Sequence, residues 1–228
     1  PTTATVLLLS SPSSVSGVAL PDAALIDLIE DALARDAAVV VDRSWATALY
    51  DPALARFSRP DLGARVYTIG SFSTGHGLGG WRVGFVSTPS DRIKPVQSLK
   101  QAMSICTTAV SQYAALAALE GPTDWLEERR ETFARRRDLA IATFGQIGLP
   151  TLRPDARSPL LIDVRTLDSD DRRLAARLAE RAGVIVEPGS AIGAATAGFV
   201  RIDLAVAEAT LTAGLVRIAE AMPEVSAA

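Results

Sequence analysis

Lysine, histidine and cysteine are nearly absent from this chain of 228 residues. Lys94 and Lys100 are its lysines, His76 its one histidine and Cys106 its one cysteine. A single thiol excludes a disulfide framework within the chain and a cysteine zinc site. Long apolar runs are missing too. The run Thr5–Leu9 is far too short to span a bilayer, and no basic-then-apolar signal segment precedes it. Charge of one sign does not dominate: the net charge is −3, with acids and bases interspersed. That excludes a nucleic-acid stripe and a polybasic membrane patch. No internal repeat and no low-complexity linker is visible. The expectation is a soluble cytoplasmic protein that binds neither nucleic acid nor membrane and holds no metal.

Apolar residues are plentiful, at 48%, enough for a core in one large or two small domains. Ala4–Leu9, Ala38–Val41, Val66–Ile69 and Val83–Val86 are short and rich in Val, Ile and Leu without strict alternation. Such runs predict strands covered on both faces. Between the first two lies Asp22–Arg35, with Leu25, Leu28, Ile29 and Leu33 at helical spacing and Pro21 at its start. Strand, helix, strand is a βαβ unit and implies a parallel sheet. Helices are expected over Asp91–Met103 and, as one long connecting helix, over Ala109–Phe144, stopped by Gly148 and Pro150. The charged run Glu127–Arg137 reads as a solvated helix face. Then follow a strand at Leu160–Val164, a helix at Asp170–Ala182, strands at Val184–Val186 and Phe199–Leu204, and a helix at Glu208–Met222. The predicted class is α/β: residues 1–145 form a mostly parallel, partial large domain with its connecting helix, and 146–228 a small α+β domain.

Five segments carry chemistry. The turn Ser10-Ser11-Pro12-Ser13-Ser14-Val15-Ser16-Gly17 follows the first strand. Val39-Val40-Val41-Asp42-Arg43-Ser44-Trp45 ends the second on a carboxylate. Ser71-Phe72-Ser73-Thr74-Gly75-His76-Gly77-Leu78-Gly79-Gly80-Trp81-Arg82-Val83-Gly84 follows the third. The small domain offers Gly183–Gly193, around Pro188-Gly189-Ser190, and Gly198–Ala205, around Arg201. The third segment closely resembles S-F-S-K-x-x-G-L-x-G-W-R-x-G, the cofactor-lysine pattern of class I/II aminotransferases, the fold-type I pyridoxal-phosphate enzymes. The others resemble that family's N-x-P-x-N-P-T-G, D-E-x-Y, V-x-P-G-S-x-F-G and G-x-x-R-I-S-F-A. The resemblance runs along essentially the whole chain.

It implies the aspartate aminotransferase-like fold and a site for pyridoxal phosphate. Asp42 would pair with the pyridinium nitrogen and keep the ring an electron sink. Ser71, Ser73 and Arg82 would hold the phosphate, the arginine as a planar fork. Ser14 and Trp45 stand where relatives place an asparagine and a tyrosine on the phenolic oxygen. Arg201 would take the α-carboxylate of an amino-acid or keto-acid ligand. Thr107, Thr108 and Gln112 resemble a segment that reaches a partner subunit's cofactor, and read equally as the first turn of a helix. Thr74 occupies the lysine position, where a hydroxyl can neither form the internal aldimine nor shuttle its proton. His76, two residues on, is either packing or a substitute base.

The resemblance also implies that much of the large domain precedes Pro1. The expectation is a homo-oligomer, a second polypeptide that completes the domain, or a fragment of a longer product. Three functions stay open: a degenerate scaffold or half of a split assembly, an enzyme holding pyridoxal phosphate or its aminated form non-covalently, and a cofactor-free enzyme that reuses the pocket for a carboxylate.

Overall fold

The computed structural model describes residues 5–55, 65–157 and 159–226. It forms two compact units, Pro1–Ser14 with Val18–Glu128, and Val15–Gly17 with Arg129–Ala228.

In the first unit the apolar runs become β1 (Val6–Ser10), β2 (Ala38–Asp42), β3 (Val66–Ser71) and β4 (Gly84–Ser87). They form one sheet in the order β1-β2-β3-β4, the first three parallel and β4 antiparallel to β3. Helix α1 (Asp22–Ala34) begins after Pro21, with Asp22 in its first turn. Its buried Leu25, Ile29 and Ala32 share one face. That face packs on Val39 and Val41, with Leu7 and Leu9 beside them. Strand alternation sends Val6 and Leu8 to the other side, where both are exposed.

Helices α2 (Ser90–Ser104) and α3 (Ala109–Glu120) follow β4. The single helix expected over Ala109–Phe144 is two. After α3 the chain is extended at Gly121, and α4 (Asp124–Gln146) starts anew. Pro122 explains the break: its ring disfavours helical geometry at the preceding residue, and it has no N–H to continue the ladder.

The second unit is built on β5 (Thr151–Leu152), β6 (Leu160–Asp163), β7 (Glu187–Pro188) and β8 (Phe199–Ile202), an antiparallel sheet in the order β5-β6-β8-β7. Helices α5 (Asp171–Ala182) and α6 (Glu208–Ser226), with α4 from Arg129 onward, complete it. Phe144, Leu160, Ile162, Leu174, Leu178, Val200, Ile202 and Leu215 form its core. Asp170 caps α5 by accepting from the amides of Arg172 and Arg173. Gly183 closes the helix in the left-handed region, at φ 62°. The strand expected at Val184–Val186 lies further on. The Val184 amide is spent on the Leu178 carbonyl, so the chain wraps the helix end before it pairs at Glu187–Pro188.

Candidate active site at the strand ends

Register gathers the first unit's candidates at one edge. Ser10 pairs with Asp42, Asp42 with Ile69, and Ser71 with Gly84. The turns after β1, β2 and β3 therefore leave the sheet side by side, at the carboxyl ends of parallel strands. That is where open α/β sheets hold their ligands.

The turn after β1 is fixed from below. The Ser11 amide donates to the Asp42 carbonyl at 3.1 Å, and the Ser11 hydroxyl accepts from the Leu20 amide at 3.0 Å. The Ser11–Pro12 peptide is cis. Ser14, at the turn's far end, is exposed. Asp42 ends β2 half-buried, its Oδ1 accepting from the Ser44 amide at 2.8 Å. Trp45 is half-buried and opens a short turn over Ala46–Ala48.

Arg43, next to Asp42, is buried. It donates from Nη1 to the Ser11 carbonyl at 3.0 Å and from Nη2 to the Leu54 carbonyl at 3.2 Å. Burial pushes its pKa down, and the charge of Asp22 opposes that shift. This side chain ties the turn after β1 to the segment after β2. Sequence reasoning gave it no role, although Arg43 stands at the glutamate of D-E-x-Y and that departure was visible.

The Ser71–Gly84 segment is seated on the same edge. The Phe72 amide donates to the Val83 carbonyl at 3.3 Å, and the Leu78 amide to the Phe72 carbonyl at 3.0 Å. The Ser71 hydroxyl accepts from the Ser73 amide at 3.1 Å. Gly75 lies so close to the turn after β2 that an added Cβ would come within 1.7 Å of Thr47 Oγ1. Thr74, just before it, is half-buried. His76 sits among aromatic rings, 5.0 Å from Phe72 and 6.4 Å from Trp125 between centroids. Arg82 is exposed, lies in the left-handed region at φ 53°, and donates from Nη1 to the Gly79 carbonyl at 2.8 Å. Helix α3 steadies this end: Ser111 Oγ donates to the Trp81 carbonyl at 2.6 Å and bonds Thr108 Oγ1 at 2.7 Å. Thr108 is the N-cap residue of α3, without a side-chain bond to the helix backbone. Gln112 donates to the Thr107 carbonyl at 2.8 Å.

Ser14, Asp42, Trp45, Ser71, Ser73, Thr74, His76 and Arg82 thus belong to the first unit, and Arg201 to the second. Arg201 lies on β8 opposite Glu187 of β7, and its Nε donates to Glu187 Oε2 at 2.7 Å. Glu187 was missed because it fills a variable place in its motif. Among the described residues no group of three or more His, Cys, Asp or Glu is placed to hold a metal ion. No helix among them is long and apolar enough to cross a membrane.

A family scan matches residues 1–218 to "Aminotransferase class I and II". The arginine–pyruvate transaminase AruH of Pseudomonas aeruginosa is 34% identical over 215 residues, covering 93% of this chain and 55% of that protein. An aspartate aminotransferase of Rhizobium meliloti is 34% identical over 242 residues, covering 96% and 57%. Among solved structures, the aromatic aminotransferase of Pyrococcus horikoshii OT3 superposes with a TM-score of 0.87 at 29% identity, covering 96% of this chain and 60% of that one. The chain spans a little over half the length of the curated relatives it matches.

Proposed function

The chain belongs to the class I and II aminotransferase family, and on that premise we propose that it is a degenerate member, keeping the family's ligand-holding groups without the covalent anchor. The observation that carries this reading is Thr74. It lies within the Ser71–Gly84 segment, on the strand-end edge that also bears Asp42, and offers a hydroxyl where the family pattern has an amine.

The family implies pyridoxal phosphate. The donor set suits its anionic end. Ser71 and Ser73 carry hydroxyls, and the Ser71 oxygen that accepts from the Ser73 amide still has its own proton to give. Arg82 uses Nη1 on Gly79. Its Nε and Nη2 have no partner among the described residues and would grip a phosphate. Asp42 has one carboxylate oxygen on Ser44 and the other available to a protonated ring nitrogen. Ser14 and Trp45 would reach the phenolic oxygen by one short hydroxyl and one indole donor. The set does not suit covalent attachment, because Thr74 cannot form a Schiff base.

When bound, pyridoxal phosphate supplies an electron sink. The residues here would bind and orient it, and Thr74 would hold no titratable proton beside it near neutral pH. The ring packing of His76 against Phe72 and Trp125 supports a packing role for that histidine rather than service as a base. Arg201 would take the carboxylate of an amino-acid or keto-acid ligand. In this reading the chain is a ligand-binding scaffold or one part of a larger assembly. The exposed apolar residues of β1, β4, α2 and α3 support association with a second copy or a completing polypeptide. The retention of Asp42, Ser71 and Arg82 together favours, as a second reading, an enzyme that holds pyridoxal phosphate or its aminated form non-covalently.

The test is borohydride reduction in the presence of pyridoxal phosphate, followed by peptide mapping. Lys94 and Lys100 both lie on α2, among exposed residues. Neither should be labelled stoichiometrically, whereas Thr74→Lys should be labelled at position 74. Stoichiometric label on either native lysine would sink the proposal. Turnover of an amino acid by unlabelled protein with added cofactor would favour the second reading.

A further inference from the structure

Strands β7 and β8 set opposite charges face to face. Glu187 and Arg201 are direct register partners. Arg201 Nε donates to Glu187 Oε2 at 2.7 Å, and Nη2 closes on the same oxygen. Glu187 Oε1 and Arg201 Nη1 have no partner among the described residues. The side chains keep 45% and 22% of their exposure respectively, so both remain open to a ligand.

The carboxylate is not a drifting surface charge, because the backbone beyond it is clamped. Gly189 is seated so tightly that a Cβ would come within 1.9 Å of the Thr196 carbonyl oxygen. Asp171, buried beneath, accepts from the Ser190 amide at 3.0 Å, the Ser190 hydroxyl at 2.5 Å and the Gly198 amide at 2.8 Å. The turn that leaves β7 directly after Glu187–Pro188 and the one that leads into β8 are thus held by one aspartate.

An arginine that serves a plain carboxylate loses affinity when a second carboxylate is fixed against it. A ligand with a cation beside its carboxylate reverses that sign. An α-amino acid carries both charges on one carbon, within the span of a single ion pair. We propose that Glu187 and Arg201 together recognise the α-amino-acid zwitterion: Arg201 takes the carboxylate through its Nη1 edge and Glu187 takes the ammonium through Oε1. This rests on the assignment of Arg201 to the ligand carboxylate, and adds Glu187 as the residue that separates an amino acid from its 2-oxo acid. A carboxylate partner also keeps the amine protonated and therefore non-nucleophilic. The pair suits retention of an amino acid rather than attack by its nitrogen. A purely structural role, a cross-strand ion pair holding the short β7, accounts for the contact but gives no preference between the two ligand classes.

The experiment is calorimetric titration of the full chain with matched pairs, L-phenylalanine against phenylpyruvate and L-alanine against pyruvate. The parent should bind the amino acid at least about tenfold more tightly than its oxo acid. Glu187→Gln should cancel that preference, weakening the amino acid and tightening the oxo acid. Glu187→Asp, which keeps the charge, should recover part of it and shows that the fold tolerates change there. Arg201→Ala should lose both ligands. A Glu187→Gln variant that shifts both ligands by the same factor overturns the inference, as does a parent that prefers the oxo acid or binds neither. Arg201→Ala binding both as tightly as the parent marks a different failure, that of the arginine assignment itself.

Discussion

Arg82 separates binding from stability within one side chain. Its backbone is left-handed, at φ 53°, a conformation that costs an L-residue about 1 kcal/mol or more. Its guanidinium is the candidate phosphate fork. Arg82→Gly should therefore raise the melting temperature while abolishing binding of pyridoxal phosphate or inorganic phosphate. Arg201→Ala should do the reverse in ligand terms, losing amino acids and keto acids while phosphate binding survives. Calorimetry and thermal melts on both variants check this, and a phosphate affinity unchanged in Arg82→Gly would contradict it. Gly75 carries a steric prediction. A methyl there meets Thr47 Oγ1 at 1.7 Å and Thr47 Cβ at 2.3 Å, so Gly75→Ala should destabilise by about 1–3 kcal/mol. Thr47→Gly in the same chain should restore most of that loss in urea unfolding. No rescue would mean that the clash is not the cause.

At the scale of elements, α5 depends on the ionised carboxylate just before it. Asp168 is buried and accepts from Arg173 Nε at 2.7 Å and from the Asp170 amide at 2.8 Å. The Arg173 hydrogen bond first, and then the Asp170 amide, hold its pKa down at about 2 against an ordinary 3.8. A depressed carboxylate contributes stability above its unfolded pKa and loses it as pH falls through the folded one. The second unit should therefore lose stability between about pH 4 and about pH 2. Asp168→Asn should be less stable at neutral pH and flatter across that window. Melting temperatures measured against pH give the answer, and parallel curves for parent and variant would remove Asp168 from the account.

For the whole molecule, uncovered apolar surface is the dominant fact. Val6 and Leu8 on β1 are 58% and 68% exposed, Phe85 on β4 54%, Met103 on α2 76%, and Tyr113 on α3 72%. Parallel sheets are normally covered on both faces, and burial yields roughly 25 cal/mol per Å². Association should therefore outcompete exposure. Sedimentation at micromolar concentration should show concentration-dependent assembly, reduced by Leu8→Glu or Tyr113→Glu. A compact monomer across that range would refute it.

Much of this was decided locally. The short Val- and Leu-rich runs specify strands, Asp22–Arg35 carries its helical stripe, and Asp170 and Gly183 bracket α5, because propensity, periodicity and capping act over a few residues. The Gly121-Pro122 break was equally local, and the charged run beyond it masked it by continuing the helical pattern. Motif spacing brought Asp42, Ser71 and Arg82 into view as a set. What the sequence could not supply is whatever depends on pairing across the chain. Register put Asp42 between Ser10 and Ile69. Burial turned Arg43 inward onto the Ser11 and Leu54 carbonyls, and strand pairing set Glu187 against Arg201. Each is a contact between residues distant in the chain, and a linear pattern records residue types in order, not which of them the folded sheet makes neighbours.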